Sequence, residues 1–248
     1  FLVEKEITLE RGKPVLTIQE RVVNEGRIKM HLMWGHHPAL GAPFLDDSCV
    51  IDLSGGQVIC TTLTANTRFV QGTYNWPLVP GKDGKTIDLR HIGTVEDNTS
   101  DTIRISQLPA SWYAVTNTRR QVGFGLAWSP EVFPVLWFWQ VYGGAYGPPW
   151  YGRTYNIALE PFSTAQPNLV AAIQVRDVFE AVAGAIPGVR AFQVHDAVDT
   201  RVDPGNVVRP AGLDENRFAG IAKRGHEWQD ILLQERLAAS DFDQRAVD

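Results

Sequence analysis

Cysteine and methionine are scarce, two of each in 248 residues, and no apolar run reaches 18 residues. Cys49 and Cys60 cannot build a disulfide framework, so a reducing compartment and a cytoplasmic location are expected. A chain without a long apolar run has no membrane-spanning helix. Also missing is the basic segment followed by an apolar stretch that directs secretion. No basic stripe exists either: 23 Lys+Arg against 28 Asp+Glu leave a net charge of −5, which argues against nucleic acid as a partner. Internal repeats and low-complexity tracts are absent. So is an initiating methionine, because the chain begins at Phe1, and the expectation is a processed or N-terminally incomplete protein.

What is present is a body rich in aromatic residues. Seven of the eight tryptophans and all six tyrosines lie in residues 1–170. Alanine numbers 9 there and 13 in the remaining 78 positions, which also carry 9 Lys+Arg against 13 Asp+Glu. Aromatic and β-branched residues suit pleated, half-buried surfaces, whereas alanine favours helices. The composition therefore divides the chain into a β-rich body, 1–172, and a C-terminal segment of different character, 173–248.

Within the body the hydrophobic period is two. Ile28, Met30, Leu32 and Trp34 alternate with Arg27, Lys29, His31 and Met33, as a strand with one core face requires. Strand-like runs recur at 2–9, 15–23, 49–53, 58–64, 102–108, 111–118, 122–129, 135–142 and 156–160, with Gly, Pro and Asn turns between several of them. Many strands at short spacing without intervening helices make an antiparallel sandwich or barrel. Beyond 165 the pattern changes. Asn168 is placed to cap a helix carrying Leu169, Ile173 and Phe179 and ending near Gly184. Residues 189–198 alternate weakly as a strand, 199–226 are polar and loop-like, and 227–239 have a helical pattern.

Two segments can carry chemistry. In the first, Met33 to Phe44, adjacent strand residues point to opposite faces, so His36 and His37 cannot share one pocket without a bulge. The spacing of His31, His36 and His37 matches no zinc pattern, and no metal is expected. A histidine titrates near neutrality and suits proton transfer, although a structural imidazole bonded to a carbonyl fits the same segment. In the second, Trp150 to Ser163, Glu160 ends the apolar run Ile157-Ala158-Leu159 ahead of Pro161. A carboxylate at a sheet rim has its pKa tuned by partial burial; the plainer reading pairs it with an arginine such as Arg153. Between the two segments, Trp137 and Trp139 share one face of a strand and Leu136 and Phe138 the other. An indole face can be core or a platform for a sugar ring.

Trp34-Gly35-His36-His37-Pro38-Ala39-Leu40-Gly41 and Tyr155-Asn156-Ile157-Ala158-Leu159-Glu160-Pro161 together resemble the aldose 1-epimerase, or galactose mutarotase-like, family. Glu20 to Gly26 and Phe133 to Trp139 share the resemblance, which covers residues 1–172. It implies a large antiparallel β-sandwich, all-β apart from a mixed or helical tail, with a sugar in an open cleft over one sheet. It further implies a histidine acid and a glutamate base, which fall on His37 and Glu160, with His36, Trp34, Trp139 and Arg153 as substrate-binding residues. The partner is then a small sugar or sugar phosphate that changes between α and β anomers, with neither metal nor organic cofactor. In that family further sugar-binding residues, a histidine and an arginine, precede the segment that corresponds to the start of this chain. Two other readings stay open: a non-catalytic carbohydrate-binding sandwich with Trp34, Trp137 or Trp139 as platform, and a glycoside hydrolase or lyase. A hydrolase needs a second carboxylate about 5–10 Å from Glu160, for which Asp88 and Asp101 are the candidates. Free sugar or sugar phosphate turns on whether Arg68, Arg119 or Arg153 reaches the cleft.

Overall fold

A computed structural model describes residues 1–9, 11–12, 14–61, 67–181, 184–185 and 189–196. In chain order its strands begin β1 (Leu2–Leu9), β2 (Val15–Asn24), β3 (Met30–Leu32), β4 (Ala39–Gly41), β5 (Cys49–Leu53), β6 (Gln57–Cys60), β7 (Gly72–Asn75), β8 (Leu78–Pro80) and β9 (Thr86–Asp88). They continue with β10 (Thr99–Ser106), β11 (Trp112–Asn117), β12 (Val122–Ala127), β13 (Val135–Tyr142) and β14 (Tyr155–Phe162). Helix α1 (Leu169–Gln174) precedes β15 (Phe179–Ala181), β16 (Gly184–Ala185) and β17 (Val189–Asp196). One sheet runs β1-β2-β17-β12-β11-β5, with β16 added beside β2, and the other runs β4-β14-β13-β10-β6-β7. The ladders between the described strands of both sheets are antiparallel, so the expected sandwich architecture is what forms.

The core lies between the two sheets and follows from strand alternation. Ile51, Tyr113, Val115 and Leu126 of one sheet belong to the same buried cluster as Val58, Ile103, Ile105, Leu136, Phe138, Ile157 and Leu159 of the other. Each fully buried side chain of this kind contributes about 1.5–3 kcal/mol relative to exposure. Alternation then leaves Arg104, Trp137, Trp139, Ala158 and Glu160 on the opposite face of the β4–β7 sheet. The core thus makes a rigid floor whose outer face is available for chemistry.

The structure departs from the sequence expectations in places with identifiable causes. The strand expected over 27–34 shrinks to Met30–Leu32. Asn24 is responsible: its side chain donates to Ile28 O at 2.9 Å and accepts from Gly26 N at 3.0 Å, folding the chain into a turn that leaves Ile28 exposed. Strands β4, β7, β8 and β9 are three or four residues long, too short for a period-two pattern to register. Asn168 does cap α1, accepting from Ala171 N at 3.0 Å. That helix ends at Gln174 with Val175 as its C-cap, because Arg176 takes a left-handed conformation with φ 57°, and Phe179 enters a strand paired to Leu32. The weakly alternating stretch near 189 forms β17, hydrogen-bonded between β2 and β12. The polar loop and the helix read over 199–226 and 227–239 lie outside the described residues. Among those described, no helix is long and apolar enough to cross a membrane.

Candidate active site

Trp34 to Gly41 runs antiparallel to Asn156–Ser163 and is stitched to it at both ends. Trp34 N donates to Ser163 Oγ at 2.9 Å, and Ser163 N to Trp34 O at 2.8 Å. Gly35 bridges Phe162, His36 N donates to Pro161 O at 3.0 Å, and Ala39 pairs with Ala158. Carrying that register inward sets His37 opposite Glu160. The gap of 123 positions in the chain closes to 2.9 Å between His37 Nδ1 and Glu160 Oε1.

The two partners differ in burial. The Glu160 side chain is 10% exposed and that of His37 is 54% exposed. Burial pushes the Glu160 carboxyl above its ordinary value, and the hydrogen bond and charge of His37 partly oppose it. A carboxylate so placed is a stronger base than an ordinary surface glutamate, and it faces an imidazole that solutes can reach. The Trp139 ring centroid lies 5.6 Å from that of His37, and the edge of Trp150 meets Trp139 at 6.2 Å. One wall of the site is therefore aromatic.

Three of the residues read as site residues thus come together: His37, Glu160 and Trp139. Three do not. His36 points to the other side of its segment, as the alternation argument requires, and its Nε2 lies 2.9 Å from Glu20 Oε2. Burial lowers its pKa, with Lys5 acting in the same direction and Glu20 opposing. Trp34 packs edge-on against Phe133 at 5.5 Å and leans on the core. Arg153 is exposed in the turn after Trp150, so the partner of Glu160 is His37 rather than this arginine. Trp137 is no free platform either. It stacks on Phe162 at 4.9 Å, carries the Arg104 guanidinium 4.6 Å from its ring, and donates Nε1–H to Thr164 O.

The acids that a hydrolase would need are held elsewhere. Asp101 lies on the core face of β10, buried, and accepts from Thr67, from Arg68 N and from Arg68 Nε. Asp88 is bound to its neighbour Arg90. Two residues of this face escaped the sequence reading, Trp150 and Arg104. The second carried a signal: an arginine alternating with Ile103 and Ile105 in a strand marks the face opposite the core.

A family model described as a domain of unknown function, DUF4432, matches residues 1–177. The chain belongs to this family. No protein of curated function matches it. Solved structures share its architecture. The Slr1438 protein from Synechocystis sp. superposes with TM-score 0.52 at 14% identity, over 79% of this chain and 54% of its own. A candidate aldose 1-epimerase from Klebsiella pneumoniae gives 0.54 at 13%, over 80% and 50%. A galactose mutarotase related enzyme from Lactobacillus acidophilus gives 0.51 at 11%, over 80% and 63%. These likenesses establish the fold of this DUF4432 chain, a galactose mutarotase-like β-sandwich. The chain spans between half and two-thirds of the length of these structures.

Proposed function

We propose that this DUF4432 chain is an aldose 1-epimerase-type isomerase, interconverting the α and β anomers of a hexose-like sugar. The observation that carries the reading is the 2.9 Å contact between His37 Nδ1 and Glu160 Oε1 on the outer face of a mutarotase-like sheet. In this reaction the Glu160 carboxylate accepts the proton of the anomeric hydroxyl, and the electron pair left on that oxygen forms the carbonyl. The C1–O5 bond breaks, and its pair takes a proton from protonated His37, whose Nε2 is the nitrogen not engaged with Glu160. Rotation about C1–C2 presents the other carbonyl face, and the same transfers in reverse close the ring. Trp139 offers its ring to the apolar face of the sugar. Free and phosphorylated hexoses both fit this chemistry.

The test is magnetisation exchange between the two anomeric proton signals of an equilibrated sugar. The wild-type chain should raise the exchange rate in proportion to its concentration, and His37→Gln should remove most of the gain. No acceleration with any of several hexoses, hexuronates and hexose phosphates would refute the reading. A second reading, a carbohydrate-binding sandwich, is favoured by the aromatic pair Trp139 and Trp150. It requires a sugar-dependent change in tryptophan fluorescence without any exchange.

A further inference from the structure

Arginines could distinguish a neutral from an acidic sugar, and of the three that stood out in sequence two are occupied and the third is exposed. Arg68 is bound to Asp101 and Gln140 on the core face. Arg119, at the tip of the β11–β12 hairpin, binds Asp47 at 2.9 Å and lies 3.3 Å from Asp46. Arg153 is exposed in its turn.

Arg104 is different. It sits on β10 directly across from Trp137, which in turn sits across from Glu160, so all three project from one face. Two inter-strand steps separate the Arg104 and Glu160 backbones by about 10 Å. A pyranose ring with its exocyclic group and the oxyanion it carries has a length of that order. Arg104 is 4% exposed, its guanidinium lies over the Trp137 ring, and Nη1 donates to Thr61 Oγ1 at 3.0 Å. Its Nε and Nη2 are buried with no hydrogen-bond partner among the described residues. Burial pushes its pKa down, with no carboxylate in the described structure to offset the loss of hydration. A buried cation with two idle donors is an unstable arrangement unless something completes it. Nε and Nη2 form the side-on fork of a guanidinium, the edge that matches two oxygens of a carboxylate or phosphate.

We propose that Arg104 receives an oxyanion carried by the sugar, so that the substrate class is an acidic sugar, a hexuronate or a hexose phosphate. This rests on reading His37 and Glu160 as the anomerising pair, because that pair places the reducing end one strand beyond Trp137.

Titrations at constant ionic strength, read by tryptophan fluorescence, would use glucose, glucuronate and glucose 6-phosphate as probes. The proteins are the full chain and its Arg104→Gln, Arg104→Lys and Glu160→Gln variants. At least one anionic probe should bind the wild type about 10-fold or more tighter than glucose, the scale expected for charge-assisted bonds in a shielded site. Which anion shows the preference identifies the source of the oxyanion. Arg104→Gln should bring the anionic-to-neutral ratio close to one, and Arg104→Lys should restore part of it. Glu160→Gln should retain the preference, because it leaves the fork intact. Equal wild-type affinity for all three probes overturns the proposal. So does an Arg104→Gln protein that melts like the wild type and keeps the preference. If Arg104→Gln does not fold, Arg104→Lys decides: an unaltered ratio counts against the fork. An Arg104-dependent preference with no anomer exchange would leave Arg104 as an oxyanion site and sink the epimerase reading. Exchange with no anionic preference would do the reverse.

Discussion

Replacing Glu160 with glutamine separates a catalytic carboxylate from a structural one, because the two roles predict opposite changes. Glutamine keeps the volume of the side chain and can still meet His37, but it accepts no proton. A positioned base typically supplies about 10²–10⁴-fold in rate. At about 1.4 kcal/mol per decade, the barrier to ring opening should rise by roughly 2.7–5.5 kcal/mol. Stability should move the other way. Burial holds the Glu160 carboxyl above its ordinary value in the folded chain. The folded state therefore binds this proton more readily than the unfolded state does. The associated stability is fully present below the unfolded pKa and is lost as pH rises through the folded one. At pH 7 the wild type carries a buried charge that Glu160→Gln removes, so the variant should be as stable as the wild type or more so. Anomer exchange spectroscopy reads the first quantity, and urea denaturation at pH 5 and pH 7 reads the second. An ion pair kept only for structure would give the reverse, an unaltered exchange rate with a lower urea midpoint, and that result would refute the reasoning.

Three further outcomes follow from the same geometry. His37→Asn should slow exchange by about 10²–10⁴-fold, and combining it with Glu160→Gln should cost far less than the product of the two, because the residues act as a unit; strict multiplicativity in a double-mutant cycle would count against the pair. The acidic limb of kcat/KM should fall above the ordinary glutamate range, since the base must be ionised and burial raises its pKa; a limb at or below that range would show that Glu160 is not the base. Gly35→Ala places a methyl group 2.4 Å from the Phe162 ring, where no relaxed contact exists. That overpacking costs typically 1–3 kcal/mol and should shift the His37 segment, lowering exchange without touching a reacting atom; a wild-type melting temperature and rate would show that Phe162 moves freely.

The legible part of the fold was whatever repeats over enough residues. β1, β2, β10, β13 and β14 are eight or ten residues long, and each contains or coincides with a strand-like run visible in the sequence. Short strands such as β4 escaped, although β4 helps set the register that brings His37 to Glu160. β17 lies beyond the composition break and yet occupies an interior position in a sheet. Composition reports average residue preferences, whereas strand order depends on pairings across more than sixty positions of chain. Of the candidate site, His37, Glu160 and Trp139 were named through the resemblance to the aldose 1-epimerase family, because alternation alone left His36 and His37, and Trp137 and Trp139, undecided. His36 and Trp34, also read as sugar-binding, lie on the other side of that segment from His37: its even and odd positions face opposite ways, and the even ones pack against Phe133.

By itself, the sequence determined the architecture and the chemistry within reach. Its recurring aromatic-rich strand runs imply an antiparallel sandwich, and its His and Glu motifs, 123 positions apart, supply groups suited to proton transfer. Only the tertiary structure decided which imidazole meets the carboxylate, and which arginine shares its face. Alternation settles the parity of a side chain within one strand, but the absolute face and the partner come from register between strands far apart in the chain. That register is why Arg68 ends on Asp101 in the core and Arg104 is left, buried and half-satisfied, on the side of Glu160.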